Sequence, residues 1–232
     1  MRKYKLILIW LIFIINTVSA QSYFAVGYSA GKFTTGLPNM RNTIYHFNTI
    51  DYKDFDNKFT FINLPHGITW EWGIKGKKAY YFIKWSNLHI KSIGSGPNPA
   101  NTSENLELKI KVRLNQLSPF NFGLLITDNI GVAFSPVDLA DFKVLYKSNV
   151  DLNGNSKANK WNDFYDVNKG LLSSYFTAGS TFYLDVDASK SLHFRLAYYI
   201  DWFGEDLGVL PSYRYRANNI NLSMLFRINR KK

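Results

Sequence analysis

The sequence predicts an all-β protein, a transmembrane antiparallel up-and-down β-barrel of about eight strands. Three observations carry that reading. Segments of alternating apolar and polar residues recur along the chain. The connections between them alternate between long and short. Beyond the first 20 residues no apolar run exceeds five, as in Ala79–Ile83. Period-two alternation marks a strand with one apolar face. A membrane helix needs roughly 20 apolar residues in a row, so a membrane chain without such runs must close its strands into a barrel.

The chain opens on an export signal. Arg2, Lys3 and Lys5 form a positive region, Leu6 to Ile15 is a run of ten apolar residues, and Val18-Ser19-Ala20 supplies small residues at a cleavage site. Ten residues are too few to span a bilayer. Residues 1–20 are therefore expected to be a signal peptide, and 21–232 one barrel domain of 212 residues (232 − 20). There is no cysteine, so the stability of an exported domain has to come from a continuous sheet rather than from disulfides. The formal charge is +11, of which three belong to the signal, leaving +8. Lysine and arginine are spread among acids, with no basic run except Arg230-Lys231-Lys232. That pattern, with export, argues against nucleic acid and for anionic head groups or lipopolysaccharide phosphates.

The strands follow in order. The first, 22–31, places Phe24, Val26, Tyr28 and Ala30 on one face. The second, 66–75, alternates Ile68, Trp70, Trp72 and Ile74 with Thr69, Glu71, Gly73 and Lys75. The third, 79–91, alternates poorly and is expected to carry a bulge. The fourth, 104–115, is the cleanest: Leu106, Leu108, Ile110, Val112 and Leu114 against Glu107, Lys109, Lys111, Arg113 and Asn115. The fifth, 120–135, opens with Phe120, Phe122, Leu124 and Ile126. The sixth and seventh, 174–187 and 191–203, carry Phe182, Leu184 and Val186, then Leu196, Tyr198, Ile200 and Trp202. The eighth, 217–229, carries Ile220, Leu222, Met224, Phe226 and Ile228. Ten strands result if Asp128-Asn129 and Ser135-Pro136 are both turns. The short connections are 76–78, 116–119 and 188–190; the long ones are 32–65, 92–103, 136–173 and 204–216. With a periplasmic N-terminus every short turn faces the periplasm and every long loop faces outward.

This pattern resembles the small outer-membrane β-barrel proteins of Gram-negative bacteria, the OmpA-like and OmpW-like transmembrane domains. The resemblance implies a cell outer membrane location, lipid around the barrel, and handling by the barrel-assembly machinery during biogenesis. In that family the last strand ends on an aromatic residue. Here Phe226 takes the position, followed by Arg227 to Lys232.

Alternation alone does not say which face looks outward. Trp70, Trp72, Tyr198 and Trp202 lie toward strand ends, where aromatic girdles sit, and this turns the apolar faces to lipid. The polar faces then line the lumen. They are expected to form a network of Glu71, Glu107, Lys109, Lys111, Arg113, Asp185, Arg195, Asp201 and Arg227. Eight strands enclose a lumen just wide enough for side chains, so these charges should interlock.

Catalytic and metal-binding patterns are weak. Asp54, Asp56 and His66 are not a spaced motif, and His89 with Ser92 lacks the rest of an esterase signature. Asp151-Leu-Asn153-Gly-Asn155 starts like a calcium loop, but Ser156 and Asn162 stand where glycine and glutamate are needed. No zinc spacing exists among the four histidines. No enzyme activity, cofactor or metal is expected. The segment Leu37–Phe47, with Pro38 near its start, is expected to form a short helix at the barrel mouth. Trp161–Tyr165 is the aromatic part of the third long loop. The expected function is a structural or interaction barrel presenting long loops to an unknown partner. The alternatives are a narrow, porin-like channel or a binder of small hydrophobic molecules, and a lipid-modifying enzyme.

Overall fold

The computed structural model describes residues 21–34, 44–60, 64–150, 159–163, 175–202, 205–206, 214–215 and 218–229. The expected signal peptide, the calcium-like stretch 151–158 and residues 37–43 of the expected helix lie outside them. Eight long strands run in chain order: β1 Gln21–Phe33, β2 His66–Lys75, β3 Ala79–Asn98, β4 Asn101–Leu125, β5 Ile130–Ser148, β6 Tyr175–Asp187, β7 Leu192–Asp201 and β8 Asn219–Asn229. Each pairs antiparallel with the next, and β8 closes on β1 through Val26↔Phe226 and ten further residue pairs. The architecture is a closed eight-stranded up-and-down barrel. Two short pieces join it: Asn162–Asp163 pairs with the end of β5, and Glu205–Asp206 pairs with Arg214–Tyr215.

Three tight turns lie at one end, the turn end. Gly76 donates to the Ala79 carbonyl (2.8 Å), Ile126 to Ile130 (2.8 Å) and Ala188 to Leu192 (3.0 Å). Gln21 pairs with Lys75 at the same end. The strand ends that bound 34–65, 149–174 and 202–218 lie at the other, loop end, as does the Pro99-Ala100 turn between β3 and β4.

The strand count is eight, but three connections differ from expectation. Residues 116–119 are not a turn; they lie inside β4. Residues 92–98, 101–103 and 136–148 are not loops; they extend β3, β4 and β5 far past their neighbours, with Pro99-Ala100 as the tight turn between β3 and β4. The turn sits at 126–129 instead, where Thr127 Oγ1 accepts from the backbone N–H groups of Asn129 and Ile130. Two prolines explain the misreading. Between β3 and β4 the pairing jumps from Lys84↔Ser118 to Phe82↔Asn121, leaving Pro119 in a bulge. Between β5 and β6 it jumps from Ser135↔Thr181 to Asp138↔Gly179, leaving Pro136 in another. Proline has no N–H for a ladder, so an interior proline is accommodated at a bulge rather than forced to end the strand.

Each bulge also reverses which face points inward. Below Pro119, Asn121 is buried while Phe120, Phe122 and Leu124 are exposed. Above it, Leu114, Val112, Ile110, Leu108 and Leu106 are buried. In β5, Ala133 and Ser135 are buried below Pro136; Asp138, Ala140, Phe142 and Val144 are buried above it. The expectation that Leu106–Leu114 faces lipid is therefore corrected: that stripe faces in.

The outside accordingly has two zones. A continuous apolar belt encircles the turn-end half, including Val26 (40% exposed), Trp72 (46%), Phe122 (41%), Val132 (41%), Leu184 (44%), Leu196 (43%) and Leu222 (54%). So large an apolar surface is not stable in water and marks a lipid or protein contact. Among the described residues, the long strands that continue above the belt are β3, β4 and β5, which form a tall wall edged by Asn162–Asp163. There the apolar stripe turns inward and the charged one outward, as in a sheet with one face on a core and one in water.

The inner face of the wall is covered by the first long connection. Its helical turn, Phe47–Asp51, buries Phe47, and Phe55 and Phe59 follow it inward. They join Ile44, Phe33, Leu88, Ile90, Leu106, Ile110, Val112 and Phe142 in one cluster. Gly94 permits this close approach: a Cβ there would stand 2.7 Å from the Phe59 ring. Asn57 pairs with Ser95, and Asn48 donates to the Phe59 carbonyl (2.8 Å), which ties the segment down. Tyr52 packs on Phe47, Phe55 and Phe59. Burial, then the neighbouring Asp51 and Tyr146, pushes its hydroxyl up to about 12.

Candidate functional site

The lumen at belt height is the polar heart of the molecule. Its centre is Arg195 of β7, whose side chain is 0% exposed. The Arg195 guanidinium donates to Asp185 of β6 through Nε (2.6 Å) and Nη2 (3.1 Å), and to Glu71 of β2 across the barrel. Tyr80 of β3 donates to the same Asp185 (2.5 Å). Cross-strand register sets this up, because Asp185 stands directly opposite Arg195. The guanidinium lies 3.8 Å from the centre of the Phe82 ring and 5.2 Å from that of Tyr183. Planar stacking and a forked donor set suit arginine here in a way lysine cannot match. Tyr80 reaches inward because its strand neighbour is Gly123; a Cβ there would stand 2.1 Å from the Tyr80 ring.

A second cluster closes the turn end. Asp187 accepts from Lys75 and from His193 Nδ1 (2.7 Å), and forms an ion pair with Arg227, whose Nη2 lies 3.1 Å away. Arg227 also lies over the Tyr23 ring (4.6 Å). On the other side of Arg195 comes a deck of neutral polar groups. Ser223, Ser29, Thr69 and Ser86 form a chain of hydroxyls spaced 2.6, 2.6 and 2.9 Å. Beside them Asp138 accepts from Ser135 (2.6 Å), Gln116 (3.2 Å) and Thr181. Lys84 is buried with its ammonium 5.1 Å from the Tyr183 ring. Asp201 lies higher, accepting from Thr177 (2.5 Å).

Of the nine residues expected in the luminal network, the structure places Glu71, Asp185, Arg195, Asp201 and Arg227 inside, and joins Glu71, Asp185 and Arg195 directly. Glu107, Lys109, Lys111 and Arg113 are not in the lumen. They stand on the outer face of the wall, with Lys109 bonded to Glu107 (2.6 Å) and Arg113 4.0 Å from Asp141. The Pro119 bulge is the cause. Sequence reasoning missed Tyr80, Lys84, Asp138 and Asp187. Asp187 shares the parity of Asp185 and was legible. Asp138 fell beyond a strand end wrongly set at Pro136. Tyr80 and Lys84 were hidden by the weak alternation of β3, whose outward residues Tyr81, Ile83 and Trp85 sit among apolar inward ones.

At belt height the cations Lys75, Lys84, Arg195 and Arg227 face the carboxylates Glu71, Asp138, Asp185 and Asp187. Four charges of each sign leave that part of the lumen balanced, with side chains bonded across it from wall to wall. Chemically this arrangement is a lock. Breaking a buried pair strands a charge and costs about 3–5 kcal/mol. Among the described residues no group of three or more His, Asp or Glu side chains is placed to hold a metal ion. His66 and His89 lie in contact on the outer face with their rings tilted (centroids 4.7 Å apart), and Tyr28 is bonded to His66; Asp54 and Asp56 do not join them.

No protein-family model matches the chain. No curated protein matches it either. Among solved structures it is similar to Ail, the attachment invasion locus protein of Yersinia pestis, solved with the heparin analogue sucrose octasulfate. That likeness has a TM-score of 0.48 at 6% identity and covers 90% of this chain and 99% of Ail. It is also similar to Neisserial surface protein A, with a TM-score of 0.35 at 8% identity, covering 91% and 99%. The resemblance read from the strand pattern is met at the level of the fold, which this chain's own strand pairing establishes: a closed eight-stranded antiparallel up-and-down β-barrel.

Proposed function

We propose that the protein is a non-enzymatic resident of a Gram-negative outer membrane, a closed barrel whose role is anchorage and interaction. One observation carries the reading: the exterior is apolar at the height where the interior is filled from wall to wall by paired charges. In this orientation the turns at 76–78, 126–129 and 188–191 face the periplasm, and the tall wall with its covering segment faces outward. Lipid surrounds the belt. Phe226, exposed on β8, is the aromatic residue offered to the barrel-assembly machinery. The upper chamber, where a small hydrophobic ligand would sit, is taken by Phe47, Phe55 and Phe59, which disfavours the binder alternative.

Planar-bilayer recording tests the closed state. The refolded chain is expected to give no steady conductance. A reproducible step of porin size would overturn the proposal in favour of a channel.

A further inference from the structure

His66 and His89 take no part in the luminal network or in the core of the upper chamber. They stand directly opposite each other on β2 and β3, both on the outer face and both half-buried. Their ring centroids are 4.7 Å apart. Two imidazoles that share a metal ion need nearly that separation. A metal–nitrogen bond of about 2.0–2.1 Å puts each ring centre about 3.2 Å from the ion, so the centres stand about 4.5 Å apart for a right-angled pair and about 5.2 Å for a tetrahedral one. Tyr28 of β1 turns His66 toward its neighbour. The Tyr28 hydroxyl is bonded to His66 Nδ1. The two nitrogens of an imidazole point nearly opposite ways, so a ring held toward β1 through Nδ1 presents Nε2 toward β3, where His89 stands. With Nδ1–H donating to the hydroxyl, the lone pair lies on Nε2, which is how an outer partner orients a metal-bound histidine. The backbone is held as well: Ala30 pairs with His66, and the carbonyl of the preceding Pro65 accepts from the Gly31 N–H (2.8 Å).

The surroundings select the kind of ion. Arg113 stands opposite His89, and Lys91 and Lys111 are close enough to act on it. Among the described residues no third His, Asp or Glu joins the pair. Calcium and magnesium need oxygen ligands and are repelled here by the cations. An ion that bonds strongly to imidazole nitrogen is what remains. Cu2+ leads the divalent first-row ions in that respect, and its tetragonal geometry matches a separation nearer the right-angled value. We propose that His66 and His89, oriented by Tyr28, form an open two-histidine site for a nitrogen-seeking divalent transition-metal ion, Cu2+ ahead of Zn2+. The ion's other positions face outward and take water or an external ligand. The site needs only the pairing of β1, β2 and β3, so it goes beyond the anchoring role and stands independently of the membrane around the belt.

The test uses the untagged mature chain refolded in detergent, with heat-modifiable gel migration establishing a closed barrel for each variant. Cu2+ is titrated in, and the bound ion is followed by its electron paramagnetic resonance signal. The wild type should bind one ion with two nitrogen ligands, and excess Zn2+, but not Ca2+, should displace it. Y28F should keep both nitrogens yet bind about tenfold more weakly, as loss of an orienting partner does. H66Q and H89Q should each bind more weakly than Y28F and lose the two-nitrogen signature. H46Q, whose histidine pairs with Asp51 in the covering segment, should bind like the wild type. No binding by the wild type, a signal with fewer than two nitrogens, or undiminished binding by H66Q or H89Q would overturn the inference. So would a loss in H46Q equal to that in H66Q. Should either glutamine variant fail to close, the wild-type and H46Q spectra decide: two nitrogens in both uphold the site, and fewer in either overturn it.

Discussion

Pro119 of β4 and Pro136 of β5 lie at the same level of adjacent strands, between the pairs Leu117↔Leu139 and Phe122↔Phe134. Both occupy bulges, and both reverse the face of their strand. The pair of prolines therefore marks the level at which the outer face of β4 and β5 changes from apolar, toward the turn end, to charged, on the upper wall.

That division makes opposite substitutions on β4 behave oppositely. Ile110→Arg puts a charge into the chamber beside Phe47 and Phe59 and should cost more than about 3 kcal/mol. Lys109→Leu, on the outer face, should change stability by no more than about 0.5 kcal/mol. Val26→Arg, in the middle of the belt, should cost about 2–4 kcal/mol in a bilayer. Urea unfolding of the refolded protein in lipid vesicles measures all three. A tolerated Ile110→Arg would mean that the upper stripe faces out.

Much of this was legible in the sequence. The period-two segments carried the strands and their number, while the long–short alternation of connections held at 76–78 and 188–190 but failed at 92–103 and 116–119. Glu71, Asp185, Arg195, Asp201 and Arg227 fell on the correct face because their strands run without interruption. The β4 charges did not, because period two says that two faces differ but not which is inside. One extra residue at a bulge exchanges them. Pro119 and Pro136 were the available signals, and they were read as turns because proline ends ladders more often than it bends them.

The Arg195 lock should be the most sensitive point of the lumen. Arg195→Ala strands Glu71 and Asp185 without their shared partner, and the expected loss is about 3–5 kcal/mol. Arg195→Lys should recover only part of it, since one ammonium cannot reproduce the two-carboxylate fork or the stacking on Phe82. Denaturant midpoints of the three proteins rank them. An alanine variant as stable as wild type would show that the network contributes nothing to closure.

Lys91 of β3 and Lys111 of β4 stand directly opposite each other on the outer face of the wall, and like charges so placed carry a stability cost. Lys111→Gln should raise stability by about 0.2–1 kcal/mol in lipid-free detergent, by removing the charge opposite Lys91. Thermal unfolding at low salt is the measurement, and the gain should shrink as salt is added. A loss of stability would show that these lysines are already satisfied within the chain.

Tyr52 makes the packing of the covering segment depend on pH. Its hydroxyl titrates near 10 in the unfolded chain and near 12 when buried. The folded form prefers the neutral phenol, so this contribution is complete below pH 10 and declines as pH rises toward 12. Tyr52→Phe should remove that part of the alkaline destabilisation. Hydrogen exchange of the Asn48 and Phe59 region across this range follows it, and identical profiles for the two proteins would contradict the assignment.

The central claim is that the belt lies in an outer membrane with the wall outside the cell and the turns in the periplasm. The chain has no cysteine, so single cysteines can be placed without background and probed with a membrane-impermeant maleimide. Lys109→Cys should be labelled on intact cells. Lys77→Cys, in the β2–β3 turn, should be labelled only after the outer membrane is opened. Val26→Cys should stay protected in both cases. Labelling of Lys77→Cys on intact cells, or of Val26→Cys as readily as Lys109→Cys, would contradict the account.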